Sequence, residues 1–318
     1  MLKVAVVGAT GYVGGELLRL LLKHPRVEVT GAFTRRFAGE RVYRVHPNLR
    51  GLTNLVFEEL NLDRVSDRAD LVFTAVPHGA SMKLVPKLLE LELKVVDLSA
   101  DFRLRNPKAY EEWYGFKHEA TEWLKKAVYG LPEIYREKIK NAQLVANPGC
   151  YPTSAVLALA PLVKQGFVDF KHIVIDSKSG TSGAGSKPSS FTHHPECGLD
   201  VKPYRVVSHR HTPEIEQCLT DLAGKPVKVC FTPHLIPIVR GILTTIHAFA
   251  AVNNLSDQEL YEVYTKFYGE KGFVRIYEPG CTPSLSGVIG SNYCDVGFAL
   301  DKRTSRILVV SAIDNLVK

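Results

Sequence analysis

Leu2-Lys-Val-Ala-Val-Val-Gly8-Ala-Thr-Gly11-Tyr-Val-Gly14-Gly15 opens the chain, and its reading decides the fold. Leu2–Val7, apolar but for Lys3, reads as a strand. A glycine turn follows, then Glu16 to Lys23 with leucines at helical spacing. Strand, glycine turn and helix in one unit form the dinucleotide-binding pattern. The spacing is GxxGxxG rather than GxGxxG, but the physics is the same: backbone approaches a pyrophosphate at a helix N-terminus. Gly8, Thr10, Gly11, Tyr12, Val13 and Gly14 are therefore the expected cofactor cradle.

The second strand, Val27–Phe33, runs into Thr34-Arg35-Arg36. An NAD enzyme usually closes this strand with a carboxylate for the ribose hydroxyls. Two guanidinium groups instead suit a 2′-phosphate, so NADP is the expected cofactor; a solvated basic loop is the competing reading. Strands are also expected over Asp70–Val76, Lys94–Leu98 and Gln143–Ala146. Polar segments follow them: Pro77-His78-Gly79-Ala80-Ser81, Ser99-Ala-Asp101-Phe-Arg103 and Asn147-Pro-Gly-Cys150. Ligands of doubly wound sheets bind beyond the strand ends, which makes Ser99 and Arg103 candidates for a phosphate or carboxylate. His78 reads as structural or cofactor-lining. Val45–Gly51 reads as a loop, and Tyr110–Glu122 as a helical excursion.

Asn147-Pro-Gly-Cys150-Tyr-Pro-Thr153 joins the last of these strands to an apolar helix over Ser154–Lys164. Pro152 suits a first helical position. A cysteine at a helix N-terminus meets partial positive charge and unpaired N–H groups, which favour the thiolate. Cys150 is thus either a nucleophile or a small buried turn residue. Beyond it, strands are expected over Ile173–Ser177, Val227–Phe231, Gly241–Phe249 and Cys294–Leu300, in a mixed or antiparallel sheet with helices on one face. Lys178-Ser179-Gly180-Thr-Ser-Gly-Ala-Gly185 follows the first, and its N–H groups are expected to form an anion nest. Ser208-His209-Arg210-His211-Thr-Pro-Glu214 starts another helix, with Thr212 as N-cap and Pro213 as first helical residue. His193, His194, Cys197, His209 and His211 fit no standard zinc spacing, so no metal is expected.

Asn147–Thr153 resembles the active-site segment of the N-acetyl-gamma-glutamyl-phosphate reductases, relatives of aspartate-semialdehyde dehydrogenase. Pro77-His-Gly, Asp97–Arg103, the 178–185 turn, Pro233–Gly241, Ser291–Gly297 and Ala312–Lys318 resemble the same family, so the likeness spans nearly the whole chain. It implies Cys150 as nucleophile and His211 as general acid/base, with His209 as fallback. It implies a nicotinamide-side contact for Asn315, and Asn147, Ser179, Gly180, His209 and Glu214 join Ser99 and Arg103 as the candidate substrate set. Arg35–Glu40 and His46–Gly51 also resemble a sister branch whose substrate is carried on a small acidic amino-group carrier protein. Family members continue past the final Lys with a last helix, which is expected to be missing here.

The 318 residues suffice for two domains, and a composition of 45% hydrophobic and 23% charged residues is that of a globular protein. No apolar run approaches the ~20 residues of a membrane span. Six cysteines without CxxC pairs fit a reducing cytoplasm. The net charge of +7 is spread out, without a nucleic-acid motif, and suits an anionic substrate or an acidic partner. The expected organisation is a Rossmann-type NADP-binding domain over 1–149 and an α+β catalytic and oligomerisation domain over 150–311. Residues 312–318 are expected to return toward the first. The expected reaction is NADPH-dependent reduction of N-acetyl-gamma-glutamyl phosphate through a Cys150 thioester, in a homodimer or homotetramer. Reduction of a carrier-bound acyl phosphate is the alternative, and a non-catalytic NADPH-binding regulator a remoter one.

Overall fold

The computed structural model describes residues 1–269 and 271–318, in two compact units, Met1–Pro148 and Gly149–Lys318. In the first unit, β1 (Leu2–Val7), β2 (Val27–Phe33), β3 (Phe57–Glu58), β4 (Leu71–Thr74), β5 (Lys94–Asp97), β6 (Val128–Tyr129) and β7 (Leu144–Ala146) form one sheet. All neighbours are parallel, in the order β3-β2-β1-β4-β5-β7-β6. Strand residues alternate between faces. Val4 and Val6 of β1 therefore join one core with Leu18, Ala32 and Phe57, while Ala5 and Val7 join the other with Val72, Leu88 and Val95. Both faces are covered, which is why Val4–Val7 read as a continuous apolar run.

The order reverses between β1 and β4, the switch point where such sheets bind ligands. Gly8 sits there with φ +82°, and a Cβ on it would lie 2.3 Å from the Ala75 carbonyl oxygen. Neither the conformation nor the space admits a side chain. The 45–51 stretch is not a plain loop. Helical turns at Val42–Val45 and Pro47–Leu49 flank His46, whose Nε2 lies 2.8 Å from the Ala9 carbonyl oxygen, so the histidine braces the glycine turn. The 110–122 excursion is two helices, Lys108–Tyr114 and Thr121–Lys126.

In the second unit, β8 (Val168–Ser179), β9 (Lys202–Pro203), β10 (Val229–Leu235), β11 (Ile242–Ala250), β12 (Val274–Ile276), β13 (Cys294–Asp301) and β14 (Arg306–Ile313) form a mixed sheet. Its order is β12-β13-β14-β11-β8-β10-β9; β8/β10 and β12/β13 are parallel and the other pairs antiparallel. Ala312 and Ile313 end β14, so residues 312–318, expected as a return segment, belong to this unit.

The helix Cys150–Gln165 lies against the sheet with Tyr151 through Val163 all buried. Pro161 inside it has no N–H for the carbonyl of Leu157, four residues earlier. Tyr268 supplies the missing donor: its hydroxyl lies 2.7 Å from that oxygen. Beneath the helix, the hydroxyls of Ser154, Thr244, Ser177 and Ser311 form a fully buried chain with links of 2.7–2.9 Å.

Candidate active site

The helix begins at Cys150, so Pro152 is its third residue rather than its first. An N–H at that position would have no intrahelical partner either. Gly149 is the N-cap, and its N–H donates to Glu214 Oε1 at 2.8 Å. Thr153 N–H returns to the Gly149 carbonyl at 2.9 Å. Within the first turn, the N–H groups of Cys150 and Tyr151 therefore have no helix carbonyl to serve. They flank a half-buried sulfur, an arrangement able to stabilise an oxyanion formed there.

Glu214 is fully buried in the first turn of the helix Thr212–Ala223. Through its bond to the Gly149 N–H it fixes the entry to the cysteine helix. His211 is that helix's N-cap, in place of the expected Thr212, and Thr212 and Pro213 are its first two residues. The His211 ring packs edge-on against Tyr151, 5.8 Å between centroids, which brings the imidazole to the cysteine turn.

His209 has a different environment. Its Nδ1 accepts the His211 backbone N–H at 3.1 Å, so its proton resides on Nε2. The ring is buried against Tyr151, Tyr204 and Phe231. Burial, helped by the charges of Arg210 and Arg205, pushes its pKa down to about 3. A histidine held neutral cannot shuttle protons near pH 7. His209 thus holds the His211 backbone through Nδ1 and is walled in by aromatic rings.

Tyr204 belongs to this cluster, although the sequence offers no signal for it. Its hydroxyl lies 2.9 Å from that of Tyr151. Burial first, and Cys150 among smaller causes, raises Tyr204 to about 12 and Tyr151 further.

The glycine turn after β8 is not an anion nest. The N–H groups of Gly180, Thr181 and Ser182 donate to the carbonyls of Gly241, Ile238 and Val239 at 2.9, 2.9 and 3.0 Å. Ser179 is buried, and its hydroxyl points at the Gly180 carbonyl, 3.0 Å away. Asn315 locks this turn: Oδ1 accepts Gly241 N–H at 2.7 Å and Nδ2 donates to Ser182 Oγ at 3.0 Å. Arg240 pairs with buried Asp314 at 3.1 Å just beside it.

In the first unit, the two anion candidates are tied into the fold. Ser99 donates to Asp97 Oδ2 at 2.7 Å and accepts Asp101 N–H at 3.1 Å. Thr74 and Ser81 complete the shell of Asp97, at 2.7 and 2.5 Å. Arg103 is buried and directs Nε to the Asn147 carbonyl at 2.7 Å and Nη2 to the Leu98 carbonyl at 3.0 Å. It clamps the ends of β5 and β7 together. Asn147 is thereby a backbone anchor for the chain entering the cysteine turn. His78 accepts Ala100 N–H at 3.0 Å, in keeping with a structural place.

The cradle fits a dinucleotide. Gly11 is the N-cap of the helix Tyr12–Leu21, with open space where a Cβ would be. A Cβ on Gly14 would lie 2.7 Å from Ala9 Cα, so a glycine there keeps the turn tight. Tyr12 and Val13 are exposed at the helix start, and Thr10 is partly so. Thr34 is buried, while Arg35 and Arg36 stand exposed after β2. Among the described residues, no group of three or more His, Cys, Asp or Glu side chains is arranged to hold a metal ion, and no helix is long and apolar enough to cross a membrane.

A parallel nucleotide-type sheet, a mixed-sheet unit, and a cysteine on a helix start beside a histidine define an oxidoreductase of the semialdehyde dehydrogenase class. Two family models match, "Semialdehyde dehydrogenase, NAD binding domain" over residues 3–142 and "Semialdehyde dehydrogenase, dimerisation domain" over 150–315. The chain belongs to this family. A protein of Desulforudis audaxviator named N-acetyl-gamma-glutamyl-phosphate reductase is 53% identical over 100% of this chain and 92% of its own length. One of Nitrosopumilus maritimus named putative [LysW]-L-2-aminoadipate/[LysW]-L-glutamate phosphate reductase is 48% identical over 100% and 91%. Among solved structures, aspartate semialdehyde dehydrogenase II of Vibrio cholerae superposes with a TM-score of 0.74 at 17% identity, covering 99% of this chain and 94% of that one. The NADP-bound Candida albicans enzyme gives 0.70 at 15%, covering 100% and 94%.

Proposed function

We propose that this chain reduces N-acetyl-gamma-glutamyl phosphate to N-acetylglutamate semialdehyde with release of phosphate, using NADPH. One observation carries the reading: Cys150 starts a buried helix whose N-cap is held by Glu214, with His211 packed at the same turn. The Cys150 sulfur attacks the acyl carbon, phosphate leaves, and a thioester remains. A thioester is a far better hydride acceptor than a carboxylate. The dinucleotide, when bound, is the source of that hydride. His211 serves as general acid/base, taking the thiol proton and later assisting collapse of the thiohemiacetal. The Cys150 and Tyr151 N–H groups stabilise the oxyanion.

The preference for NADPH rests on the residue types of Arg35 and Arg36, which follow β2 where an NAD enzyme usually carries a ribose-binding carboxylate. Asn315 is assigned a positioning role, since its amide holds the 180–185 turn. A homodimer or homotetramer assembled through the second unit, working in a reducing cytoplasm with free substrate, completes the reading. The second reading, a substrate held by an acidic carrier protein, is favoured by the 48% identity to a carrier-linked relative.

Assaying the free and carrier-bound acyl phosphates side by side over a salt series tests both. Robust turnover of the free compound, mildly salt-dependent, supports the first reading. Turnover of only the carrier-bound compound, falling steeply with salt, replaces it with the second. In either case Cys150→Ser abolishes reduction and retains NADPH binding; normal turnover in that variant would sink the thioester mechanism.

A further inference from the structure

The helix that carries Cys150 has no amphipathic stripe. Tyr151 through Val163 are all buried, and from 154 to 163 the one polar side chain is Ser154. Hydrophobic burial is non-directional, so it does not by itself choose which face of such a helix meets the sheet. Ser154 makes that choice. Its hydroxyl donates to Thr244 Oγ1 at 2.9 Å and lies 2.7 Å from Ser311 Oγ, while Ser311 also donates to the Ser154 carbonyl at 3.1 Å. Thr244 Oγ1 in turn lies 2.8 Å from Ser177 Oγ. The sheet partners stand in one row: Thr244 of β11 is directly opposite Ser177 of β8 and Ser311 of β14. The next row on the same face is apolar, with Ile246 opposite Ile175 and Val309. Burying hydroxyls costs desolvation that their mutual bonds largely return, so apolar residues of the same shape would hold the helix about as firmly. Such residues would not supply a direction.

We propose that this row of hydroxyls positions the nucleophile: it fixes the rotation and register of the helix on the sheet, and thereby aims the Cys150 sulfur. The inference rests on Cys150 being the nucleophile. Cys150 lies four residues before Ser154, one turn earlier on the same helix face. A helix rotated by one residue would swing that sulfur through about 100°, away from the N–H groups of its first turn. The bonds to Ser154 reach both its hydroxyl and its carbonyl, so they oppose such a rotation and a slide along the axis alike. A single buried polar contact that sets the register of otherwise apolar helices has the same physical basis. Ser154, Ser177, Thr244 and Ser311 are thus positioning residues, acting through the helix.

The test sets hydroxyl against shape. In the quadruple variant Ser154→Ala, Ser177→Ala, Thr244→Val and Ser311→Ala the whole row becomes apolar, and no hydroxyl is left without its partner. Its melting temperature should stay at or above that of the unmodified chain. Its kcat should fall by about ten- to a hundred-fold, the scale of a misplacement of about 1 Å, with KM unmoved. The pH midpoint of iodoacetamide alkylation, followed on the Cys150 peptide because Cys230 and Cys281 are also exposed, should move up as the sulfur leaves the helix start. That readout requires neither cofactor nor substrate, so its failure is distinct from failure of the thioester reading, which Cys150→Ser tests. Thr244→Ser, the conservative variant, loses a buried methyl and keeps the hydroxyl. Its melting temperature should drop while kcat and the alkylation midpoint hold. A quadruple variant with the original kcat and midpoint overturns the proposal, as does a Thr244→Ser variant whose kcat falls with its melting temperature. Should the quadruple variant not fold, Thr244→Val and Thr244→Ser are compared directly. Thr244→Val keeps the shape and breaks the row, so its kcat should be lower by about tenfold. Equal kcat in the two overturns the proposal equally.

Discussion

His209 accepts a backbone N–H at Nδ1 and sits in an aromatic box that keeps it uncharged. His211, two residues on, has a ring at the cysteine turn. The sequence leaves the acid/base role shared between them, because spacing says nothing about which ring is walled in. The structure separates them by environment. His211→Asn is expected to lower kcat by ~10²–10⁴, the range for general acid–base help, and His209→Asn by under about tenfold. Asparagine at 209 retains an acceptor near the Nδ1 position, so the His211 backbone keeps its bond. Steady-state kinetics of the two variants decide, and the reverse ranking would return the role to His209. Arg35 and Arg36 raise a similar question of environment. Both are exposed after β2, where only a ligand phosphate would distinguish them from a solvated loop. Replacing both by serine should raise the KM for NADPH by about ten- to a hundred-fold, again the scale of charged hydrogen bonds, with little change for NADH. Equal changes for the two cofactors would assign the pair to solvent.

Elements with a strong local signal were legible in the sequence: β1 and β2 run over the same residues as the apolar patterns that announced them. The two-residue strands β3 and β6 were not, since two residues carry no period. β14 was hidden because its end reads as motif residues, and its long pairing with β11 and β13 is a tertiary fact. The 178–185 turn shows the same limit. Its N–H groups look available until residues 238–241, distant in sequence, arrive to accept them. Ser99 is the contrary case: its partner Asp97 lies two residues away, and the Asp-x-Ser spacing could have been read as a local bond. Within the cysteine helix, Pro161 and Tyr268 form a pair that no local pattern predicts. Removing the phenol by Tyr268→Phe leaves a buried carbonyl unsatisfied and should destabilise by ~1–3 kcal/mol. Pro161→Ala restores an intrahelical N–H to Leu157, so the double variant should recover much of that loss. Denaturant unfolding of the two single variants and the double one measures the coupling, and strict additivity would mean that Tyr268 does not serve the proline's carbonyl.

At the scale of the whole molecule, buried histidines set how the protein meets acid. His209 is pushed down to about 3 by burial and by Arg210 and Arg205, and His118 is lowered chiefly by burial. His118 donates from Nε2 to the Asp101 carbonyl at 2.7 Å, a bond that partly offsets the lowering by burial. An unfolded histidine titrates near ~6.5. Between that value and the folded pKa the unfolded chain binds more protons, so stability must fall as pH falls through this window. The contribution is complete above the unfolded pKa and disappears progressively below it, at up to ~1.4 kcal/mol per pH unit for a fully titrating group. Asp101 acts in the opposite sense. Burial raises it above its ordinary range, partly offset by the Gly79 and Met82 N–H groups it accepts at the start of the helix Ser81–Glu90, so its own contribution is lost as pH rises. Its window opens near an unfolded pKa of ~3.9 and that of the histidines near ~6.5, so on acidification from neutral pH the histidines are the groups that begin to weaken the fold. The melting temperature is therefore expected to drop on going from pH 7 to pH 5, and His209→Asn, which removes the titrating group and keeps an acceptor, should flatten that slope. Melting curves of both proteins across the interval provide the comparison. A variant as acid-sensitive as the original would mean that His209 exchanges its proton with solvent as freely in the fold as outside it, and would reopen its candidacy as the acid/base.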